Sequence, residues 1–205
     1  MLVPQDEIRS SLTGALRILF KDPKALSYFN MRPDGFWNSF KAVWIVLVPL
    51  SITLLVQRGW LMSEHGLSLE DFPSAIFFAA KIFGFGLEWA MMPFVLWILA
   101  DQLDIKTRYG PFIIARNWAS IVMTWVYFIP TLAHVAGLIN LDGMVFTQLV
   151  LLGFVLVYGF RVARATLDKP ALFCMALVFV DLIIGLLIGG TLWSFIEPIL
   201  VAPKI

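Results

Sequence analysis

The sequence predicts an all-α integral membrane protein, with five transmembrane helices preceded by an amphipathic interfacial helix. Composition is the first observation. Of 205 residues, 60% are hydrophobic and 14% charged, against about 45–50% and about 25% in an average soluble domain. The mean hydropathy is +0.87, and a soluble globule of this size could not hide so much apolar surface. The second observation is that apolar residues gather into five windows. Each is close to or above the ~20 residues that a helix needs to cross a hydrocarbon core about 30 Å thick. The third is a helical hydrophobic period ahead of the first window. A β-barrel would show short alternating segments instead of solid runs. Disorder and collagen-like repeats do not fit this composition, and a formal net charge of +1 excludes a nucleic-acid-binding domain.

Residues 1–35 are expected to form a cytoplasmic N-terminal segment. From Asp6 onward, Ile8, Leu12, Ala15, Leu16, Leu19 and Phe20 fall on one helical face, with Arg9, Ser10 and Thr13 elsewhere. Asp6 and Glu7 suit the positive end of the helix dipole, and Arg17 and Lys21 the other end. Lys21-Asp22-Pro23 should stop the helix. Such a helix reads as a curvature sensor or partner site, or as an anchor that holds the chain on the bilayer before the first span.

The transmembrane domain is expected over 36–200, with a short outer tail at 201–205. Its spans fall at 36–56, 73–99, 112–139, 143–160 and 171–198. Lys41 is near enough to the end of the first span to snorkel, and Pro49 should kink it. Between the spans lie Gln57-Arg58, Glu70-Asp71, Asp101 through Arg108, Asn140 through Gly143, and Arg161 through Pro170.

Lysine and arginine set the expected orientation. With the N-terminus inside, the inner segments carry Arg9, Arg17, Lys21, Lys24 and Arg32, then Lys106, Arg108 and Arg116, then Arg161, Arg164 and Lys169. The outer segments carry only Arg58 and Lys204, alongside the acidic Glu64, Glu70, Asp71 and Asp142. The expectation is a cytoplasmic N-terminus, in the cell inner membrane if the source is bacterial. No cleavable signal peptide is expected, because residues 1–35 hold no uninterrupted apolar stretch and no small-residue cleavage site. The first membrane helix should direct insertion. The single cysteine, Cys174, permits no intramolecular disulfide and no cysteine-based metal site.

Ionisable groups inside the hydrocarbon are costly, by about 2.5–3.5 kcal/mol each on insertion scales. The second span holds Lys81 and Glu88, seven residues apart on one face, and the fifth holds Asp181. Glu88 and Asp181 are expected at a similar depth near the midplane. In the third span Asn117, Ser120, Thr124, Tyr127, Thr131 and His134 follow a 3-4-3-4-3 spacing that places them in one seam. That seam should face other helices. Spans two, three and five would then enclose a polar interior, with Lys81 and His134 as its outer layer and Glu88, Tyr127 and Asp181 as its middle layer. Two carboxylates at one level cannot both stay ionised without a cation, so one is expected to be protonated or held by Lys81. The cluster reads either as a proton- or ion-coupled path or as a satisfied packing network.

Small residues mark candidate packing faces: Gly185 with Gly189, and Ala80 with Gly84. Pro49, Pro93 and Pro130 could each kink a span, and Trp37, Trp60 and Trp193 read as interfacial anchors. No HExxH, GxSxG, Walker or GxGxxG motif is present. No catalytic residue, cofactor site or metal site is therefore expected, including from His65 and His134.

The stretch Leu19-Phe20-Lys21-Asp22-Pro23-Lys24, then Gly35-Phe36-Trp37 leading into the first span, resembles the opening of bacterial Yip-domain membrane proteins. The start of the third span, Tyr109-Gly110-Pro111-Phe112 through Trp118-Ala119-Ser120 to Ile129-Pro130, is similar to the same family. The resemblance covers residues 15–200. It implies a five-helix membrane domain of the kind that, in eukaryotes, associates with Rab GTPases and shapes early secretory membranes. A Tyr-Gly-Pro element precedes the first span in the eukaryotic family and the third span here, so the resemblance assigns no site residue. The lack of a long acidic or Gln-rich N-terminal tail points to the bacterial branch.

The expected function is a non-catalytic scaffold or accessory component of a membrane assembly, or a role in membrane organisation. Its partners would be the lipid bilayer and other membrane proteins or a second copy. The alternative is a small proton- or ion-coupled transporter or channel that uses the buried charges of spans two, three and five.

Overall fold

The computed structural model describes residues 3–201, so the tail expected at 201–205 lies outside the described residues except for Val201. Seven helices follow in order: α1 (Gln5–Leu19), α2 (Pro33–Phe40), α3 (Val43–His65), α4 (Ser74–Leu99), α5 (Lys106–Val135), α6 (Leu141–Leu167) and α7 (Ala171–Val201). A 3-10 turn, Ala25–Tyr28, stands between α1 and α2, and no strand occurs among the described residues. Five helical segments are long and apolar enough to cross a membrane: α2 and α3 taken together, then α4, α5, α6 and α7.

Charged residues do not end these helices where the sequence suggested. The third helix runs through Gln57 and Arg58 to His65 and stops at Gly66, whose φ of 62° closes the turn with its N–H on the Met62 carbonyl. The sixth helix likewise continues through Arg161 and Arg164 to Leu167, ending at Asp168 with φ 53°. The guanidiniums of Arg161 and Arg164 reach the carbonyls of Leu19 and Lys169. They answer helix-terminal carbonyls instead of breaking a helix. The fifth helix begins at Lys106 instead of 112, and ends at Val135. Asn140 then caps α6 by accepting from the Gly143 N–H at 2.8 Å. The first span is two helices, parted at Lys41 and Ala42, and Pro49 lies inside the second of them.

The fifth helix is the centre of the bundle. Half of its most apolar window is buried (50%), against 11% for those of α6 and α7. Trp118, Ile113, Ile114 and Ala119 are buried in the main core. The fifth helix packs against α1, α2, α3 and α6, while α7 bridges α6 to α4. The outer faces of α4, α6 and α7 expose large apolar side chains such as Phe94, Phe146, Leu149 and Leu186, as lipid-facing surfaces do.

The first helix packs against α5 and α6, so it is docked on the bundle as well as amphipathic. Its buried face is Ser11, Gly14, Ala15 and Ile18, while Leu16 and Phe20 are 45% and 79% exposed. Ile8, Leu12 and Leu19 of the expected face pack beside Ala15 against the core, and the small Ser11 and Gly14 join them where close helix contact is made. A Cβ on Gly14 would lie 2.8 Å from the Phe29 ring. The Tyr158 hydroxyl donates to the Ala15 carbonyl and Arg161 to that of Leu19. Asn38 donates to Glu7 at 2.9 Å and accepts from Lys41 at 2.8 Å, which ties α2 to α1.

Candidate functional site

Three charged residues stand at one level of the bundle. Glu88 lies eleven residues before the end of α4, Arg116 ten after the start of α5, and Asp181 ten after the start of α7. At about 1.5 Å per residue, each is about 15–17 Å from the helix end that neighbours α1. Arg116 Nη2 donates to both Asp181 carboxylate oxygens, at 2.9 and 3.1 Å. This salt bridge joins α5 to α7, with side chains 18% and 37% exposed.

Beside the pair lies a partly open cavity of about 350 Å³ bordered by α4, α5, α6 and α7. Glu88, Arg116, Ser120 and Asp181 reach it, whereas the α6 wall, including Leu152, Leu156 and Val162, is entirely apolar. The Ser120 hydroxyl is engaged, donating to the Asn117 carbonyl at 2.6 Å. Glu88 has no hydrogen bond or ion pair among the described residues. Two carboxylates and one guanidinium therefore share the space, and the guanidinium pairs through Nη2 with Asp181.

The expected layers do not assemble as drawn. Glu88 and Asp181 line the same cavity, but Tyr127 does not and is 36% exposed. Lys81 makes no ion pair with Glu88. Its amine stands 5.8 Å from the Phe77 ring and 5.6 Å from the Trp193 ring, a cation–π setting. His134 lies near the far end of α5, with Nδ1 3.1 Å from the Ile139 carbonyl, and does not meet Lys81. Among the described residues, no three histidine, cysteine or carboxylate side chains converge.

Helix geometry explains the split. Each residue turns the helix by about 100°, so positions three apart stand about 60° from one another and the seam splits into two rows. Asn117, Thr124 and Thr131 form its inner row. Asn117 and Thr131 are fully buried and Thr124 is half-buried. Asn117 donates to Ser39 Oγ at 3.0 Å, and Thr131 accepts from Gln148 at 3.3 Å. Ser120, Tyr127 and His134 form the outer row. Arg116 stands one turn before Ser120 on that row, which brings it to the cavity. Its charge groups Arg116 with the inner basic residues in the sequence, and its four-residue spacing from Ser120 is the signal that places it on this row instead.

The small-residue pairs also divide. A Cβ on Gly84 would collide with Leu192 of α7, so α4 and α7 approach closely there, and Ala80 packs in the smaller core beside Leu54 and Phe77. Gly185 borders the cavity and Gly189 is exposed; a Cβ on either would meet nothing within 4 Å. In comparisons with known proteins, the chain matches no family model, no curated protein and no solved structure.

Proposed function

We propose that the protein is a small proton- or ion-coupled carrier, acting without catalysis through charges on α4, α5 and α7. The observation that carries this reading is the uncommitted Glu88 facing the Arg116–Asp181 pair across one cavity. Ionisable groups at this depth of an apolar bundle are costly and mark ion or substrate paths. A network serving only packing would pair every charge, as Arg116 and Asp181 are paired. Glu88 is the group available to exchange a proton or hold a charged solute. The excess of Lys and Arg at the α1 end supports a cytoplasmic placement of that end.

The test is proton movement in proteoliposomes under an imposed membrane potential, read by an internal pH dye. Wild type is expected to take up protons, and Glu88→Gln and Asp181→Asn to lose most of that flux. Wild-type traces identical to those of empty liposomes, across a broad solute screen, would defeat the reading.

A second reading, an accessory or scaffold component of a membrane assembly, is favoured by Gly189. This glycine is exposed on α7, where a Cβ would meet nothing in the chain, and small residues at such positions often receive another helix. The resemblance to Yip-domain proteins adds to it. Purification in mild detergent distinguishes the two: stoichiometric foreign subunits favour the accessory role, and an isolated chain removes its main support.

A further inference from the structure

We propose that the α4–α7 cavity binds an organic cation with an apolar body, its charge held against Glu88. The inference rests on the reading that this cavity is the working site, and it names the class of solute.

Charge comes first. The cavity presents Glu88, Asp181 and Arg116, and both Asp181 oxygens are engaged by Arg116. One negative charge is left without a partner. Lys81 on the same helix is about 10 Å further along, with its amine over the Phe77 and Trp193 rings. An anion entering here would meet Glu88 and a cavity whose three charged groups sum to one negative charge. A cation meets a ready counter-charge in a setting where Coulomb attraction is weakly screened.

The walls come second. Apart from the charged groups and Ser120, the lining is aliphatic, aromatic or glycine, with Met92, Met123 and Phe112 facing the apolar α6 wall. A bare magnesium or calcium ion takes about six to eight oxygen ligands, which this lining does not supply. A neutral polar solute would meet mostly apolar wall, with the Ser120 hydroxyl already engaged on the Asn117 carbonyl. A volume of about 350 Å³ matches small-molecule pockets, which run about 300–1,000 Å³ with mostly apolar walls and few polar groups.

Binding in this way requires an ionised Glu88, so protons compete with the cation. The charged groups facing Glu88 are Asp181 from α7 and Arg116 from α5, with Lys81 further along its own helix; α6 contributes none to the cavity. Affinity should therefore fall as pH is lowered.

The experiment uses the full chain in detergent, with tetraphenylphosphonium and tetraphenylborate as probes of matched size and opposite charge. Gly185→Leu serves as the occluded variant, since a Cβ there meets nothing within 4 Å and the residue borders the cavity. The expected result is saturable tetraphenylphosphonium binding at one site per chain. It should weaken at least tenfold in Glu88→Gln, weaken between pH 8 and pH 5, and vanish in Gly185→Leu, with unchanged thermal unfolding confirming that this variant folds. Glu88→Gln binding as tightly as wild type, or tetraphenylborate taking the Gly185→Leu-sensitive site, overturns the cation assignment and leaves the cavity reading standing. If neither probe binds saturably, the cation assignment falls. Glu88-dependent proton flux would then still support the carrier, and its absence would remove that reading too.

Discussion

Arg116 and Asp181 show how one contact ties two distant parts of the sequence together. Arg116 offers one nitrogen to both carboxylate oxygens, a charge-assisted arrangement stronger than a neutral hydrogen bond. Removing either partner leaves the other charged and facing an apolar cavity. Arg116→Leu or Asp181→Leu should each cost about 1.5–3 kcal/mol, the range for hydrogen bonds to charged groups. The double replacement should recover much of that loss, because no unpaired charge remains. Unfolding in mixed micelles measures the cycle, and simple addition of the two single losses would mean the pair is not coupled. Asp22 works by another route, outside the apolar segments. The Lys24 backbone N–H, at 2.8 Å, and then the Arg17 guanidinium, at 2.6 Å, hold its carboxyl below its ordinary value of 3.8. A carboxyl lowered on folding stabilises above its unfolded value, and that contribution is lost as pH falls through the folded value. Amide exchange at the end of α1, corrected for intrinsic rates, should therefore lose protection below about pH 4 in wild type. In Asp22→Asn protection should be lower and insensitive to this change.

Close helix approach is decided by glycines, and they make contrasting predictions. At Gly84 a side chain would meet Leu192, whereas at Gly189 it would meet nothing within 4 Å. Gly84→Leu should destabilise by about 1–3 kcal/mol through overpacking. Gly189→Leu should be neutral or slightly stabilising, since Gly is a poor helix former. Thermal unfolding of the two variants compares them directly, and equal losses would contradict the α4–α7 packing. The same contrast shows what the sequence could convey. The long apolar runs identified every helix long and apolar enough to cross a membrane, because length and hydropathy are properties of a single helix. Glu88 and Asp181 were legible as expensive charges for the same reason. Arg116 was not, because charged residues were read as loop markers and its partner lies 65 residues away. Which row of the α5 seam faces inward was also hidden, since the two rows stand only about 60° apart and neighbouring helices decide which is buried. The face of α1 was legible in part: Ile8, Leu12, Ala15 and Leu19 meet the core, but hydrophobicity ranks Leu16 and Phe20 above Gly14 and Ser11, while packing selects the smaller pair.

At the scale of the whole molecule, the distribution of charge supplies the last prediction. The end bearing α1 carries Arg9, Arg17, Lys21, Lys24 and Arg32, together with Lys106, Arg108, Arg161, Arg164 and Lys169 near the ends of α5 and α6. Among the described residues the opposite end carries Arg58, with Glu64, Glu70, Asp71 and Asp142. This imbalance should place the α1 end in the cytoplasm. Five crossings would then leave the far end of α7 outside. Glu88, Arg116 and Asp181 lie about 15–17 Å from the helix ends on the α1 side. Cysteine labelling decides the orientation. Cys174 is buried and is replaced by Ser, then Ser27 and Leu69, both exposed in loops at opposite ends, are changed singly to Cys. A membrane-impermeant maleimide applied to intact cells should label Leu69→Cys and leave Ser27→Cys unmodified until the cells are opened. The reverse pattern would invert the bundle, turn its basic end outward and reverse the side from which the cavity loads.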